Sequence, residues 1–486
     1  MNDVLDFLAR TWPNIVGAIL ICLAAVAACH AVMYKRDPRS SIGWAGIIIL
    51  FPIVGAALYV LIGINRVKRK AAQLRGKRVR AFASGEIVPY TPERLATAIP
   101  VSQRHLATLD LVVSSVTRRP LLPGNAVEAL VNGDEAFPRM LEAIRSARTS
   151  IGLATYIFDN DPSGRQFIDA LADATKRGVQ VRVLIDSVGS RYSFPSSVGR
   201  LRRAGVIAHR FMPSLMPWRA PYMNLRNHRK ILVVDGALGF TGGMNIRHGN
   251  MVSLNPSHAV KDLHFEVRGP IVAHLQETFA EDWQFTTRET LEGDAWFPRL
   301  ADEGDVIARG ITDGPDEDLD KLLCVITGAL ACAQKSVRIM TPYFLPNMAL
   351  ISALNTAAMR GVNVEIILPS VNNLRTVGWA MTANLWQVLE WGCSVWLSDP
   401  PFDHSKLMVV DDEWSLVGSA NWDQRSLRLN FEFNIECYSP VLAARLNAIF
   451  DAKRTHAKRI TLKDVDSRPL PRRLRDSIAR LFMPYL

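Results

Sequence analysis

Two uncharged runs open the chain. Ile15–Met33 is 19 residues long, with His30 its one strongly polar member, and Ile42–Ile64 is 23 residues long. About 20 apolar residues in a helix cross a bilayer core, so the runs predict a two-helix transmembrane hairpin. Tyr34–Ser41 is its polar turn, and Pro52 falls inside the second helix, where a membrane tolerates it. Trp12, Trp44 and Tyr59 are candidates for the membrane–water interface. From about residue 135 the pattern becomes one of alternating strands and helices. Ser150–Phe158 reads as a buried strand, Gly164–Arg177 has helical periodicity, and Val179–Asp186 is a second strand. The order then repeats: Ser336–Phe344, a helix over Asn347–Arg360, the strand Val362–Pro369, a helix near Trp379–Trp391, and the strand Cys393–Ser398. Such alternation predicts layered α/β domains. The copies align locally as KRGVQVRVLID on MRGVNVEIILP, 183 residues apart. A repeat of this length implies two similar α/β/α domains related by a pseudo-twofold.

Charge adds a partner class. The 486 residues carry a net charge of +11, which favours an anionic partner, nucleic acid or an anionic membrane surface. Eight of those positive charges fall within the fifteen residues Arg66–Arg80, directly after the second apolar run. The positive-inside rule places that tract, and the domains behind it, in the cytoplasm. Val26–Cys29 resembles a lipoprotein cleavage site, but Asp3 and Asp6 against Arg10 do not make a signal peptide's basic start. The six cysteines form no C-x-x-C pair, consistent with a reduced compartment.

The chemistry lies in a doubled motif. HRKILVVD (His228–Asp235) and HSKLMVVD (His404–Asp411) both read H-x-K-x4-D, and each is followed 17 residues after its histidine by an asparagine, Asn245 and Asn421. Histidine can attack phosphorus or carry a proton near neutral pH, while lysine and asparagine can hold phosphate oxygens. Two such sets on one phosphodiester supply a nucleophile, a general acid and a cradle for charge, with no metal or other cofactor. Asp235 and Asp411 complete the set of six with His228, Lys230, His404 and Lys406, although their strand-end positions suit tying a turn better than touching substrate. The sequence offers one acid per half to orient the histidines, Asp262 and Glu432. The histidines are 176 apart, so the first half holds about seven extra residues between landmarks, expected in Phe211–Leu225. That loop, rich in Met and Pro with Trp218 and Tyr222, suits either a lipid-facing lip or the domain surface. Pro471–Phe482 reads as a basic amphipathic helix, for a membrane surface or for packing on the domain.

These motifs, together with KRDPRSSIGW, TPYFLP and NHRKILVVDGALGFTGGMNI, resemble the phospholipase D superfamily, and within it the bacterial cardiolipin synthases over nearly the full chain. The resemblance implies an inner-membrane, multi-pass enzyme using phosphatidylglycerol as donor and acceptor through a phosphohistidine. His228 would attack, His404 would do the acid/base work, Lys230, Lys406, Asn245 and Asn421 would hold phosphate, and Asp262 and Glu432 would orient the histidines. A phospholipase D that hydrolyses, or transfers to another alcohol, would use the same site; a nuclease would too, but two membrane spans argue against nucleic acid. The expected division is a hairpin over 1–65, a basic linker over 66–120, and phospholipase D-like domains over 121–300 and 301–486.

Overall fold

The computed structural model describes residues 2–35, 38–63, 90–117, 119–212, 225–314 and 320–483. The basic tract Arg66–Arg80 and most of the Phe211–Leu225 loop, with Trp218 and Tyr222, lie outside the described residues. The chain divides into a small unit beginning at Met1 and a large one carrying both motifs.

In the small unit the first apolar run folds as expected. Asn2–Tyr34 is one helix, and its Thr11–Tyr34 portion is long and apolar enough to cross a membrane. The second run does not form one straight helix. It is a helix over Pro38–Leu50, a break at Phe51 (φ −132°, ψ 75°), a short helix over Pro52–Leu58 and a π-turn over Tyr59–Gly63. Pro52 lacks an N–H and so starts a new helix instead of continuing the old one. The chain turns back so closely that a Cβ on Gly55 would stand 2.5 Å from the Ile47 carbonyl oxygen. At 1.5 Å per residue, Pro38–Leu50 is about 20 Å long, short of a bilayer core of about 30 Å. Among the described residues one helix, not two, is long enough to span. Tyr59 is buried, its hydroxyl 2.8 Å from His30 Nδ1 and its ring 5.4 Å from that of Trp44, so Trp44 and Tyr59 pack together inside the unit.

The large unit is built on one sheet in which a seven-strand order occurs twice. From its outer edge the first half runs Ile207–Phe211, Gln180–Asp186, Ser150–Thr155, Ile231–Val234, Leu238–Gly242, Leu263–Arg268, Leu122–Val131. The second half runs Ser394–Ser398, Asn363–Pro369, Ser336–Met340, Leu407–Val410, Trp414–Gly418, Asn430–Tyr438, Val306–Asp313. The copies meet through their equivalent last strands, antiparallel, with Leu122 opposite Ala308 and Asn125 opposite Val306. This is the pseudo-twofold that the repeat implies. Helices cover both faces and close cores that include Phe167 and Leu171 in the first half and Leu350 and Leu354 in the second. The repeat extends to backbone strain: Asp235 and Asp411 sit at φ 51° and 52°, and Gly242 and Gly418 at φ 149° and 155°. A Cβ on either glycine would press on the neighbouring strand, 2.8 Å from the His264 Cα in one half and 2.5 Å from the Asn434 Cα in the other. The length difference resolves into two parts. Fourteen residues separate Phe211 from Arg226 where three separate Ser398 from Phe402, and 20 separate Asp186 from Ile207 where 24 separate Pro369 from Ser394.

Two segments depart from expectation. Pro92–Ala98 and Ala107–Thr117, expected within a linker, are helices whose Leu95, Leu109 and Val113 join the core of the second half. Arg309 ties them in, with Nη2 donating to Asp110 at 2.8 Å and Nη1 to the Ser114 hydroxyl at 2.6 Å. The C-terminal helix, Leu470–Leu481, packs on Arg375–Asn384 through its polar side. Asp476 and Ala479 are buried, and Arg468 and Arg475 pair with Asp476 at 2.5 and 2.7 Å. The apolar stripe Leu470, Leu474, Ile478, Leu481 points outward, each residue 48–76 % exposed.

Candidate active site

Each histidine is delivered by a two-residue strand borrowed by the opposite half. Arg226–Asn227 pairs with Asn430–Phe431, and the His228 N–H donates to the Phe431 carbonyl at 2.9 Å. Phe402–Asp403 pairs with Val260–Lys261, and the His404 N–H donates to the Lys261 carbonyl at 2.7 Å. Side chains alternate along such segments. Asn227 and Arg229 therefore point away from the cleft, where Asp282 binds both at 2.9 and 2.5 Å. In the second half the charges are exchanged: Lys453 donates to Asp403 at 2.6 Å and to Ser405 at 2.9 Å. What remains on the other side in each half is the histidine and its lysine.

The acids cross over as the strands do. His228 Nδ1 lies 3.0 Å from Glu432 Oε2, and His404 Nδ1 lies 2.8 Å from Asp262 Oδ2. With Nδ1 engaged, each imidazole turns Nε2 to the cleft, the arrangement that fixes a tautomer for nucleophilic or acid/base work. Two residues missed at the sequence level support Glu432: the Ser419 hydroxyl donates to Oε2 at 2.5 Å and Asn430 Nδ2 to Oε1 at 3.1 Å. Asn430 stands two residues before Glu432 on one strand, which was the available signal. The first half has Gly243 where the second has Ser419, and a Cβ there would meet the Asp262 carboxylate at 2.2 Å.

The lysines lie beneath the histidines. Lys230 Nζ donates to the His228 carbonyl at 2.6 Å; Lys406 Nζ donates to the His404 carbonyl and stands 2.9 Å from His404 Nδ1. Burial, opposed by Glu432 and reinforced by the Lys406 charge, lowers the Lys230 ammonium to about 7. Burial likewise takes Lys406 to about 8, opposed by Asp262 and Glu432. Both histidines are lowered by burial; Glu432 opposes this at His228, while Lys406 and Lys230 reinforce it at His404. Burial raises Asp262 to about 6 despite Lys406, whereas the burial of Glu432 is outweighed by His228 and Lys230, which hold it low.

The two histidines line one cleft of about 550 Å³ with Asn245, Asn421, Tyr156, Tyr343, Arg226 and Arg425 among its walls. Asn245 Oδ1 accepts from the Ile157 N–H at 3.0 Å, leaving its amide donors for a ligand. Asn421 lines the opposite wall beside Asp423, whose carboxyl burial raises to about 6. The Tyr156 ring packs edge-on against His228 at 5.2 Å and Tyr343 against His404 at 6.2 Å. Neither tyrosine was singled out in the sequence, although they lie just past the equivalent strands Ser150–Thr155 and Ser336–Met340. Asp235 and Asp411 are not brought to the site. They sit at the far ends of the strands after the lysines, about 17 Å along the chain. Asp235 accepts from the backbone N–H groups of Arg148, Thr149 and Ser150, and Asp411 from those of Gln334, Lys335 and Ser336 and from His105 Nε2 at 2.6 Å. They anchor turns, as their positions suggested, and their place in the set of six is corrected accordingly.

Comparison with known proteins agrees with this geometry. A family model described as the cardiolipin synthase, PLD-like domain matches residues 140–283 and again 326–454, and one described as the phospholipase D-nuclease N-terminal matches residues 22–63. The chain is 32 % identical to the major cardiolipin synthase of Bacillus subtilis over 94 % of this chain and 96 % of that one. It is 33 % identical to cardiolipin synthase A of Pseudomonas aeruginosa over 98 % of each chain. Among solved structures, a phosphatidylserine synthase of Haemophilus influenzae superposes with a TM-score of 0.62 at 17 % identity, covering 78 % of this chain and 100 % of its own, a likeness of fold.

Proposed function

The chain belongs to the cardiolipin synthase family of phospholipase D-like proteins, and from that membership we propose that it moves a phosphatidyl group between two phosphatidylglycerol molecules, yielding cardiolipin and glycerol. The observation that carries the reading is the pair of histidines facing one cleft, each backed by a carboxylate from the other half. Buried histidines rest neutral, and an anionic phosphodiester entering the cleft favours a proton on one of them. In the first step neutral His228 Nε2 bonds to phosphorus, the phosphorus–oxygen bond to glycerol breaks, and protonated His404 gives its proton to the leaving oxygen. In the second, His404 takes the proton of a hydroxyl on another phosphatidylglycerol; that oxygen bonds to phosphorus and the phosphorus–nitrogen bond breaks. Lys230, Lys406, Asn245 and Asn421 offset the charge on the non-bridging oxygens. Exchange of one primary alcohol for another is close to thermoneutral, so no nucleotide is needed.

The enzyme works on phospholipids and associates with a membrane. We place its catalytic unit on the cytoplasmic side, because the tract Arg66–Arg80 follows the apolar runs. The C-terminal helix supports contact with an anionic surface: its leucines and isoleucine face out, flanked by Arg473 and Arg480. Nucleic acid is not among the partners in this reading.

The test is phospholipid analysis of the purified protein in phosphatidylglycerol liposomes with EDTA present, glycerol release being followed in parallel. Cardiolipin and glycerol in equal amounts are expected. Phosphatidic acid as the main product would make the protein a hydrolase, and a requirement for phosphatidylethanolamine would change the donor.

A further inference from the structure

The two halves carry the same histidine, lysine and asparagine and one orienting acid apiece, and two of the places where they differ in the wall of the cleft change its charge. Two residues before each histidine stand Arg226 and Phe402; two residues after each asparagine stand Arg247 and Asp423, and all four line the cleft. The His404 side is aromatic, Phe402 stacking on Tyr343 with ring centres 6.2 Å apart. The His228 side is cationic. Arg247 is already paired with Asp159 at 3.2 Å, whereas Arg226 has no carboxylate within ion-pair distance among the described residues and gives one hydrogen bond, from Nη1 to the Leu225 carbonyl at 2.7 Å. Asp186 is its neighbour, but those carboxylate oxygens accept from the N–H groups of Val188, Gly189 and Asn227 at 2.8, 3.2 and 2.9 Å.

Arg226 also has the right place. Asn227 and Arg229 are held on the far side by Asp282, so Arg226 shares the cleft face with His228, two residues or about 7 Å along the strand. Arg425, from the second half, lines the same cleft. Two guanidinium groups lining one cleft repel each other, and an anion held between them removes the repulsion while using the planar fork of Arg226. From this asymmetry we propose that Arg226, with Arg425, forms a second phosphate site, distinct from the one between the histidines, which takes the phosphodiester of the acceptor lipid. The proposal rests on the transfer reaction above. There the donor brings one phosphate, to be attacked, and the acceptor brings another that must be held about one glycerol away from its reacting hydroxyl. Water and simple alcohols lack that second phosphate, so the site selects a phosphatidyl-bearing acceptor over them.

The experiment is competition between acceptors in one vesicle assay. Phosphatidylglycerol liposomes are incubated with radiolabelled glycerol, and cardiolipin formed is divided by label exchanged into phosphatidylglycerol. Both products pass through the same histidines, so the ratio does not depend on how much enzyme is folded. Arg226→Gln is expected to lower the ratio about tenfold. Arg226→Lys, which keeps the charge and loses the fork, is expected to lower it less and serves if the glutamine variant does not fold. A ratio equal to wild type in the active variants would overturn the second site. Wild-type protein that makes no cardiolipin at all would instead overturn the transfer reading on which it rests.

Discussion

At the scale of single residues, the histidines act as a unit, each serving a step the other cannot. His228→Ala and His404→Ala should each reduce transfer by at least about 10³-fold, and the double variant should lose little more. Product formation under single-turnover conditions checks this; near-normal turnover in either single variant would exclude a two-histidine mechanism. The lysines set the response to pH. A lysine must be protonated to hold phosphate, so kcat/KM should fall as pH rises through the range set by Lys230, about 7, and Lys406, about 8. A bound phosphodiester favours the charged ammonium, so the same limb in kcat should lie at higher pH. On the acid side, protonation of Asp262 near 6 releases His404 Nδ1, and activity should fall again as pH drops through that value. Because these groups interact, the limbs report the cluster and not one residue. A flat kcat/KM between pH 6 and 9, measured on phosphatidylglycerol vesicles, would rule out this assignment. The sequence made His228, His404, both lysines and both asparagines legible, because the repeat sets them in register, while Asp262 and Glu432 stand 34 and 28 residues after the histidine of their own half and had only the family resemblance to mark them. It left open which acid serves which histidine, since Glu432 reaches across 204 residues and Asp262 across 142.

At the scale of elements, composition located the apolar segments, and backbone chemistry then decided their shape. The second N-terminal run is as apolar as the first, yet Phe51–Pro52 breaks it, because a proline can open a helix more easily than continue one. Periodicity also described the C-terminal helix well without giving its orientation. Asp476, held by Arg468 and Arg475, turns the polar side inward and leaves the apolar stripe outside. Replacing Leu474 and Ile478 together by Ser should therefore leave the melting temperature of the catalytic unit within about 2 °C of wild type, since exposed side chains contribute little to the core. The same variant should lose several-fold in rate on anionic vesicles while keeping its rate on mixed micelles, which bring lipid to the site without a surface to dock on. Equal loss on both would assign the stripe to the fold. Tyr90–Thr117 was unreadable as structure because its leucines and valines complete a core most of whose residues lie more than 200 positions later.

At the scale of the whole molecule, the repeat of strands and helices was legible, but neither the full seven-strand order nor the seam between its two copies was. No local pattern says that Leu122–Val131 pairs with Val306–Asp313, or that the two-residue strands before the histidines cross to the opposite half. Those crossings put the histidine of one half in the keeping of the other. Such an interlocked pair is what two identical subunits would form, but identical subunits have one gene: a codon for Arg two places before the histidine would write Arg on both lips of the cleft. Joined in a single chain, positions 226 and 402 are inherited separately, and one lip can become cationic while the other becomes aromatic. Fusion frees the surroundings of the histidines to specialise for two unlike roles, donor and acceptor. The price falls on the crossing contacts, where a substitution at Glu432 or Asp262 is felt by the histidine of the other half.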